Sequence, residues 1–242
     1  MTPDAIRKPG GSARPRPWFR RYPVAAFLVA LILAFVTSPF EEASHNGDLI
    51  ESLGLSVLML TGLLALSVRR RALVLGIVLV TPALAGKWLN HWWPVLIPDA
   101  LFLVPALLFI LFMLLIFLRY LLRATRIDSE VLCAGVAGYL MMGMLWGLAY
   151  ILTARLVSDS FVVSGGPDAS HSMKGFTAMY FSFITLTTVG YGDILPVSGA
   201  ARMLAMTEAM TGTFYMAIMV ARLVSLYYAP SPPVEGGDRG KS

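Results

Sequence analysis

Long apolar runs dominate the chain and predict helices that cross a membrane. A hydrocarbon core of about 30 Å requires roughly 20 apolar residues for each helical crossing. Six runs approach or exceed that length, at residues 24–40, 49–68, 72–90, 97–118, 131–153 and 201–227. The pattern therefore predicts an all-α membrane protein with six transmembrane helices.

A seventh apolar stretch, residues 176–186, is too short to span a bilayer and lies between the fifth and sixth predicted spans. Glycine-containing chain follows it directly. Non-helical backbone at membrane depth is tolerated only where protein buries it or where it lines a water-filled path. We therefore expect a re-entrant pore helix and a loop beside a conduction pathway.

The composition excludes a soluble globular protein. Of 242 residues, 57% are hydrophobic and only 14% are charged, against about 25% charged in typical soluble domains. The net charge of +5 is compatible with nucleic-acid binding only if the basic residues form a patch on a soluble domain. They are spread along the chain instead, so we expect the lipid bilayer and no nucleic acid as a partner.

The distribution of the basic residues predicts the orientation of the chain. With six crossings, fifteen of the 19 Lys and Arg residues fall on one side, which the positive-inside rule assigns to the cytoplasm. Both termini are then cytoplasmic in a multi-pass protein of the cell membrane. The predicted parts are a basic cytoplasmic segment 1–22, a four-helix membrane domain 23–126, a pore domain 127–228 and a disordered cytoplasmic tail 229–242.

Residues 187–193, the filter segment, read TTVGYGD and resemble the selectivity filter of potassium channels. Gly190 and Gly192 can adopt positive φ without a Cβ penalty, which lets successive carbonyls face one axis. The resemblance implies that potassium ions pass through the protein and that it needs no other cofactor. It also implies ion-binding carbonyls at Thr188, Val189, Gly190 and Tyr191, with the Thr188 hydroxyl completing the innermost site.

The resemblance extends over residues 176–226 and implies a set of supporting residues, Thr187, Gly192, Asp193, Tyr180 and Phe181. Many family members carry two tryptophans where this chain has Tyr180 and Phe181, which implies a retained aromatic cuff around Tyr191. Some bacterial members pair the aspartate after the filter with a glutamate four residues before the first filter threonine, which corresponds to Thr188 here. Ile184 occupies that position here, so Asp193 lacks that partner.

The last apolar run resembles the inner helix that lines the pore in this family. Gly212 stands where relatives place a hinge glycine, and it either bends the helix at a gate or permits close helix packing. The resemblance implies that one stripe of this helix faces the cavity. The stripe consists of Thr213, Met216, Val220 and Val224. Glu208 is a carboxylate within the span, where such groups are costly. It either supports the pore helix and filter from behind or reaches water near the outer interface.

One chain carries one filter segment, whereas the pore of this family needs four around an axis. We therefore expect a homotetramer with cyclic symmetry. Residues 101–118 of the fourth run contain no arginine, and Arg119, Arg123 and Arg126 fall at its cytoplasmic end. A voltage sensor needs several charges inside the membrane field, so we expect weak voltage dependence or none.

The sequence thus predicts a potassium-selective channel, with a potassium-uptake transporter component or a less selective cation channel as alternatives. Uptake transporters typically carry several degenerate filter loops, whereas this chain has one full motif. An intramembrane enzyme would need paired acids, a Ser/Lys dyad or a His-rich metal set. Glu51 and Glu208 do not form such a set, and we expect no enzymatic activity.

Overall fold

The computed structural model describes residues 23–43, 47–66, 70–92, 100–125, 128–163, 173 and 175–228. The predicted cytoplasmic segment 1–22 and tail 229–242 lie outside the described residues. In order, the elements are α1 (Pro23–Ala43), α2 (Gly47–Leu66), α3 (Arg70–Trp92), α4 (Ala100–Arg123), α5 (Ser129–Leu156), β1 (Phe161–Val163), α6 (Gly175–Leu186), β2 (Ile194–Pro196) and α7 (Gly199–Tyr227).

Helices α3, α4, α5 and α7 are long and apolar enough to cross a membrane, in the segments Arg70–Asn90, Phe102–Arg123, Ser129–Leu156 and Gly199–Ser225. The apolar parts of α1 and α2 are shorter, at Val24–Phe40 and Ser52–Leu66. Acidic residues limit both, since Glu41 and Glu42 follow the first and Glu51 precedes the second. The side chain of Glu51 lies outside the described part of the structure. The chain is a mostly helical, multi-pass membrane protein.

Helices α1 to α4 form a bundle in which consecutive helices pack together, and α1 and α4 also pack on α5. Phe27 of α1 meets Phe117 of α4 edge to face, with ring centroids 5.4 Å apart. Phe35 of α1 meets Phe183 of α6 in the same way at 4.8 Å. Few residues separate the end of α4 from the start of α5. This short connection keeps the α1–α4 bundle packed on α5 and α6 of the same chain.

Glycines along α5 let α6 and α7 approach closely, in the pairs Gly135–Met219, Gly138–Tyr215, Gly143–Phe183 and Gly147–Met179. A Cβ on Gly147 would lie 2.8 Å from the Met179 sulfur. Gly143 and Gly147 have the G-x-x-x-G spacing that is typical of close contacts between membrane helices. Both α6 and α7 therefore pack closely against α5.

A two-stranded antiparallel ribbon joins the chain after α5 to the chain after the filter segment. Strand β1 pairs with β2, with Val162 opposite Leu195. Ser198 then caps α7, because its hydroxyl accepts a hydrogen bond from the Ala201 N–H at 3.1 Å. The ribbon holds the start of α7 close to the exit of the filter segment.

Candidate functional site

The carboxyl end of α6 is continuous with the filter segment through backbone hydrogen bonds. The Thr188 N–H donates to the Thr185 carbonyl at 2.9 Å. The N–H groups of Val189 and Gly190 both donate to the Ile184 carbonyl, at 2.8 and 3.1 Å. These bonds satisfy carbonyls that a helix end would otherwise leave without partners, and they fix the filter segment directly against the end of α6.

Left-handed backbone conformations alternate along the filter segment. Positive φ occurs at Thr188 (60°), Gly190 (53°) and Gly192 (81°), and not at Val189 or Tyr191 between them. The glycine conformations agree with the prediction from the sequence. Thr188 was not predicted to share them, since a residue with a Cβ loses about 1 kcal/mol or more in this region. Such alternation is what allows successive carbonyls to face the same side of an extended chain.

The filter segment lies at the surface of the single chain, with Val189 53% exposed and Tyr191 72% exposed. Phe181 is buried instead, and its ring packs against Tyr150 and Phe161 with centroids 4.8 and 5.6 Å away. The aromatic cuff expected around Tyr191 is therefore not complete within one chain.

Asp193, at the end of the filter segment, has a partner that the sequence did not reveal. The Tyr180 hydroxyl donates to its Oδ2 atom at 2.7 Å, and the Ile194 N–H donates to its Oδ1 atom at 3.1 Å. Ile184, which replaces the acidic partner of some relatives, is buried. The tyrosine thus ties α6 to the exit of the filter segment.

Glu208 is fully buried, at 0% exposure, where α5, α6 and α7 meet. Its carboxyl oxygens form hydrogen bonds with the hydroxyls of Tyr150 on α5 and Ser182 on α6. The Ser182 hydroxyl also contacts the Gly143 carbonyl at 2.7 Å. Glu208 therefore does not reach solvent within the chain, and it lies behind α6 on the side of α5.

Gly212 packs directly against the end of α6. A Cβ at this position would lie 2.5 Å from the Leu186 carbonyl oxygen and 2.8 Å from its side chain. Of the two interpretations left open by the sequence, close packing has a direct structural basis in these contacts. The cavity stripe predicted on α7, Thr213, Met216, Val220 and Val224, is exposed in the single chain.

The cytoplasmic end predicted for α7 contacts the end of α4. Arg222 is half-buried, and its Nη2 atom donates to the Ala124 carbonyl at 2.7 Å. Arg119 and Arg123 are exposed at the last turns of α4, and Arg126 lies outside the described residues. Arg222 therefore links α7 to the connection between α4 and α5, a contact that no sequence signal indicated.

Comparisons with known proteins find relatives for part of this chain. A family model described as "Ion channel" matches residues 130–229. Protein LctB from Bacillus caldotenax is 32% identical over 102 residues, or 41% of this chain and 74% of LctB. The calcium-gated potassium channel TvoK from Thermoplasma volcanium is 42% identical over 98 residues, or 40% of this chain and 25% of that protein. Two pore potassium channel b from Oryza sativa subsp. japonica is 32% identical over 85 residues, or 33% of this chain and 24% of that protein.

The chain thus spans about a quarter of the length of the two named potassium channels and most of LctB. The region matched by the family model contains nearly all of α5, together with α6, the filter segment and α7. The match to the family model and the 32% identity over 74% of LctB both support membership of one family. We conclude that the chain belongs to the ion channel family.

Proposed function

We propose that the chain forms the pore of a potassium-selective channel in which four identical chains surround one conduction path. The observation that carries the proposal is the alternation of positive φ at Thr188, Gly190 and Gly192 within the TTVGYGD segment. Its relatives include proteins named as potassium channels, which supports potassium as the permeant ion.

The proposed ion sites are built from backbone oxygens. A potassium ion enters a filter when carbonyl oxygens replace its water shell at little net cost. The carbonyls of Thr188, Val189, Gly190 and Tyr191 supply these oxygens, and the Thr188 hydroxyl completes the innermost site. The carboxyl end of α6 carries a partial negative charge that favours a cation nearby.

The surface of the single chain supports a cyclic homotetramer. The filter segment is exposed, as is a broad apolar face of α7 that includes Met203, Met206, Met210 and Phe214. Identical subunits cover such a face by closing a ring. With about 100° of rotation per residue in an α-helix, Thr213, Val220 and Val224 lie roughly opposite Glu208 and Tyr215, and Met216 lies at the edge of that side. They line the cavity, while the other side holds α7 to its own chain.

In the membrane, we place both termini in the cytoplasm of the cell. Helices α1 and α2 then also cross, because a bilayer adapts to short apolar segments by local thinning at modest cost. The four-helix domain 23–126 surrounds the pore domain 127–228. Since residues 101–118 carry no arginine, the channel depends weakly on voltage or not at all.

The test compares Gly190→Ala with the matched variant Gly199→Ala in liposomes loaded with potassium. Alanine at position 190 must adopt a φ of 53°, whereas Gly199 has an exposed position with open space around its α-carbon. We expect Gly190→Ala to lose potassium selectivity and to keep the mass of four chains, and Gly199→Ala to match the unchanged protein. Unchanged selectivity in Gly190→Ala would contradict the filter, and crosslinking that stops at dimers would contradict the tetramer.

A further inference from the structure

The site around Glu208 contains more hydrogen-bond contacts than its hydroxyl protons can supply. Three oxygen–oxygen contacts link four groups in a row: Tyr150 to Glu208, Glu208 to Ser182, and Ser182 to the Gly143 carbonyl. Each contact needs one proton between its two oxygens to be a hydrogen bond. Tyr150 and Ser182 carry one hydroxyl proton each, and a carbonyl carries none. A protonated Glu208 carboxyl supplies the third proton.

One arrangement satisfies every contact. The Tyr150 hydroxyl donates to Oε2 of Glu208, the protonated Oε1 of Glu208 donates to the Ser182 oxygen, and the Ser182 hydroxyl donates to the Gly143 carbonyl. If Glu208 were ionised, the Ser182 hydroxyl could donate to only one of its two oxygen neighbours, and the other close oxygen–oxygen contact would hold no proton. A buried polar network is favourable only when all of its members are satisfied.

The surroundings of Glu208 favour the same state. Its partners are hydroxyl groups, and among the described residues none of them is a cation. The titratable groups that interact with it are Tyr150 and Tyr139, both on α5, while α6 contributes Ser182. An ionised carboxylate without a cationic partner is costly in a buried site.

We propose that Glu208 is a neutral carboxylic acid whose hydrogen bonds position α6 between α5 and α7, and that loss of its proton releases α6 and lowers potassium conduction. Ser182 lies two residues before Ile184, whose carbonyl holds the N–H groups of Val189 and Gly190. A shift of α6 therefore moves the base of the filter segment. Because this role acts through the filter, it presupposes the proposed channel function. The hydrogen bond that Glu208 donates to Ser182 is present while the carboxyl carries its proton and is lost as the pH rises, and Ser182 then donates to the carboxylate instead of the Gly143 carbonyl.

The first test measures the proton directly and needs no conduction. Infrared spectra of the membrane-embedded protein at neutral pH are compared between the unchanged chain and Glu208→Gln. We expect a carbonyl band of a protonated carboxylic acid in the unchanged chain that disappears in the variant. Equal absorption in the protonated-acid region would overturn the proposal, whether or not the protein conducts potassium.

The second test separates a neutral acid from a structural carboxylate. The amide of Glu208→Gln can accept from Tyr150 and donate to Ser182, so it reproduces all three contacts, whereas Glu208→Leu reproduces none. We expect the assembly to survive heating in Glu208→Gln as in the unchanged chain, and to be weakened in Glu208→Leu. Failure of Glu208→Gln to fold or assemble would show that the charge is required and would overturn the proposal.

A third test measures potassium flux as a function of pH in the unchanged chain and in Glu208→Gln. In the unchanged chain, we expect potassium flux to fall by about tenfold at alkaline pH. A change of this size is expected when one buried polar group is left without a hydrogen bond. In Glu208→Gln we expect this decline to disappear, because the amide does not ionise. Since that variant keeps Tyr139 and Tyr150, a decline that persists would belong to the tyrosines and would contradict the role of Glu208. Absence of potassium flux in the unchanged chain would instead refute the channel function.

Discussion

The hydroxyl of Tyr180 donates a 2.7 Å hydrogen bond to the carboxylate of Asp193 and so links α6 to the last residue of the filter segment. The two residues are 13 positions apart, and the filter backbone runs between them. The bond therefore closes a loop around the proposed ion sites.

Tyr180→Phe removes only this hydroxyl and should loosen the filter exit. We expect sustained potassium current to decay at least about twofold faster, since a partly exposed pair of this kind contributes modestly. Currents recorded during long openings in planar bilayers measure the effect. Tyr228→Phe, an exposed tyrosine near the far end of α7, is the matched control. Equal decay in Tyr180→Phe and the unchanged chain would show that the bond does not stabilise the filter.

Gly212→Ala tests whether this glycine serves close packing or a hinge. The added Cβ would lie 2.5 Å from the Leu186 carbonyl, so we expect a loss of about 1–3 kcal/mol in stability, as in other overpacked sites. The melting temperature of the detergent-solubilised assembly measures it, with Gly199→Ala as the control. An unchanged melting temperature together with a reduced open probability would support the hinge and contradict the packing interpretation.

Arg222→Gln should alter opening without altering selectivity. The variant loses the charged donor to the Ala124 carbonyl, a bond of about 1 kcal/mol or more, and so frees the end of α7 from the connection after α4. We expect at least a severalfold change in open probability at an unchanged reversal potential. Arg123→Gln, which alters an exposed arginine at the end of α4, should leave both quantities unchanged. A change of selectivity in Arg222→Gln would contradict this assignment.

Weak voltage dependence is a separate expectation. Each charge that crosses the full membrane field contributes about 2.3 kcal/mol per 100 mV, and the membrane-spanning part of α4 before Arg119 contains no arginine. Conductance should therefore rise little with voltage, and Arg119→Gln should leave the slope unchanged. A steep conductance–voltage curve that flattens in Arg119→Gln would identify a voltage sensor at the end of α4.

The sequence predicted the elements of the site better than the contacts between them. Apolar run length predicted the position of each helix in the described part of the chain, and the filter motif together with glycine's conformational freedom predicted the positive φ of Gly190 and Gly192. These properties depend on residues close in sequence. The G-x-x-x-G spacing of Gly143 and Gly147 was a further local signal, and it could have predicted that another helix packs closely against α5.

The supporting contacts could not be predicted in the same way, because they join distant positions. Glu208 is 58 residues from Tyr150 and 26 from Ser182. A carboxylate within a span indicated a buried or functional group, but not which hydroxyls would meet it. Likewise, Arg222 looked like an ordinary basic residue near a helix end, and only the packing of α7 brings it to Ala124.

The most direct test of the central claim is the reversal potential of purified protein in a bilayer with potassium on one side and sodium on the other. If the carbonyls of the filter segment select potassium, the current reverses close to the potassium equilibrium potential, and Gly190→Ala moves it toward zero. A reversal potential that follows sodium, or one that lies near zero in the unchanged protein, would contradict a potassium-selective filter.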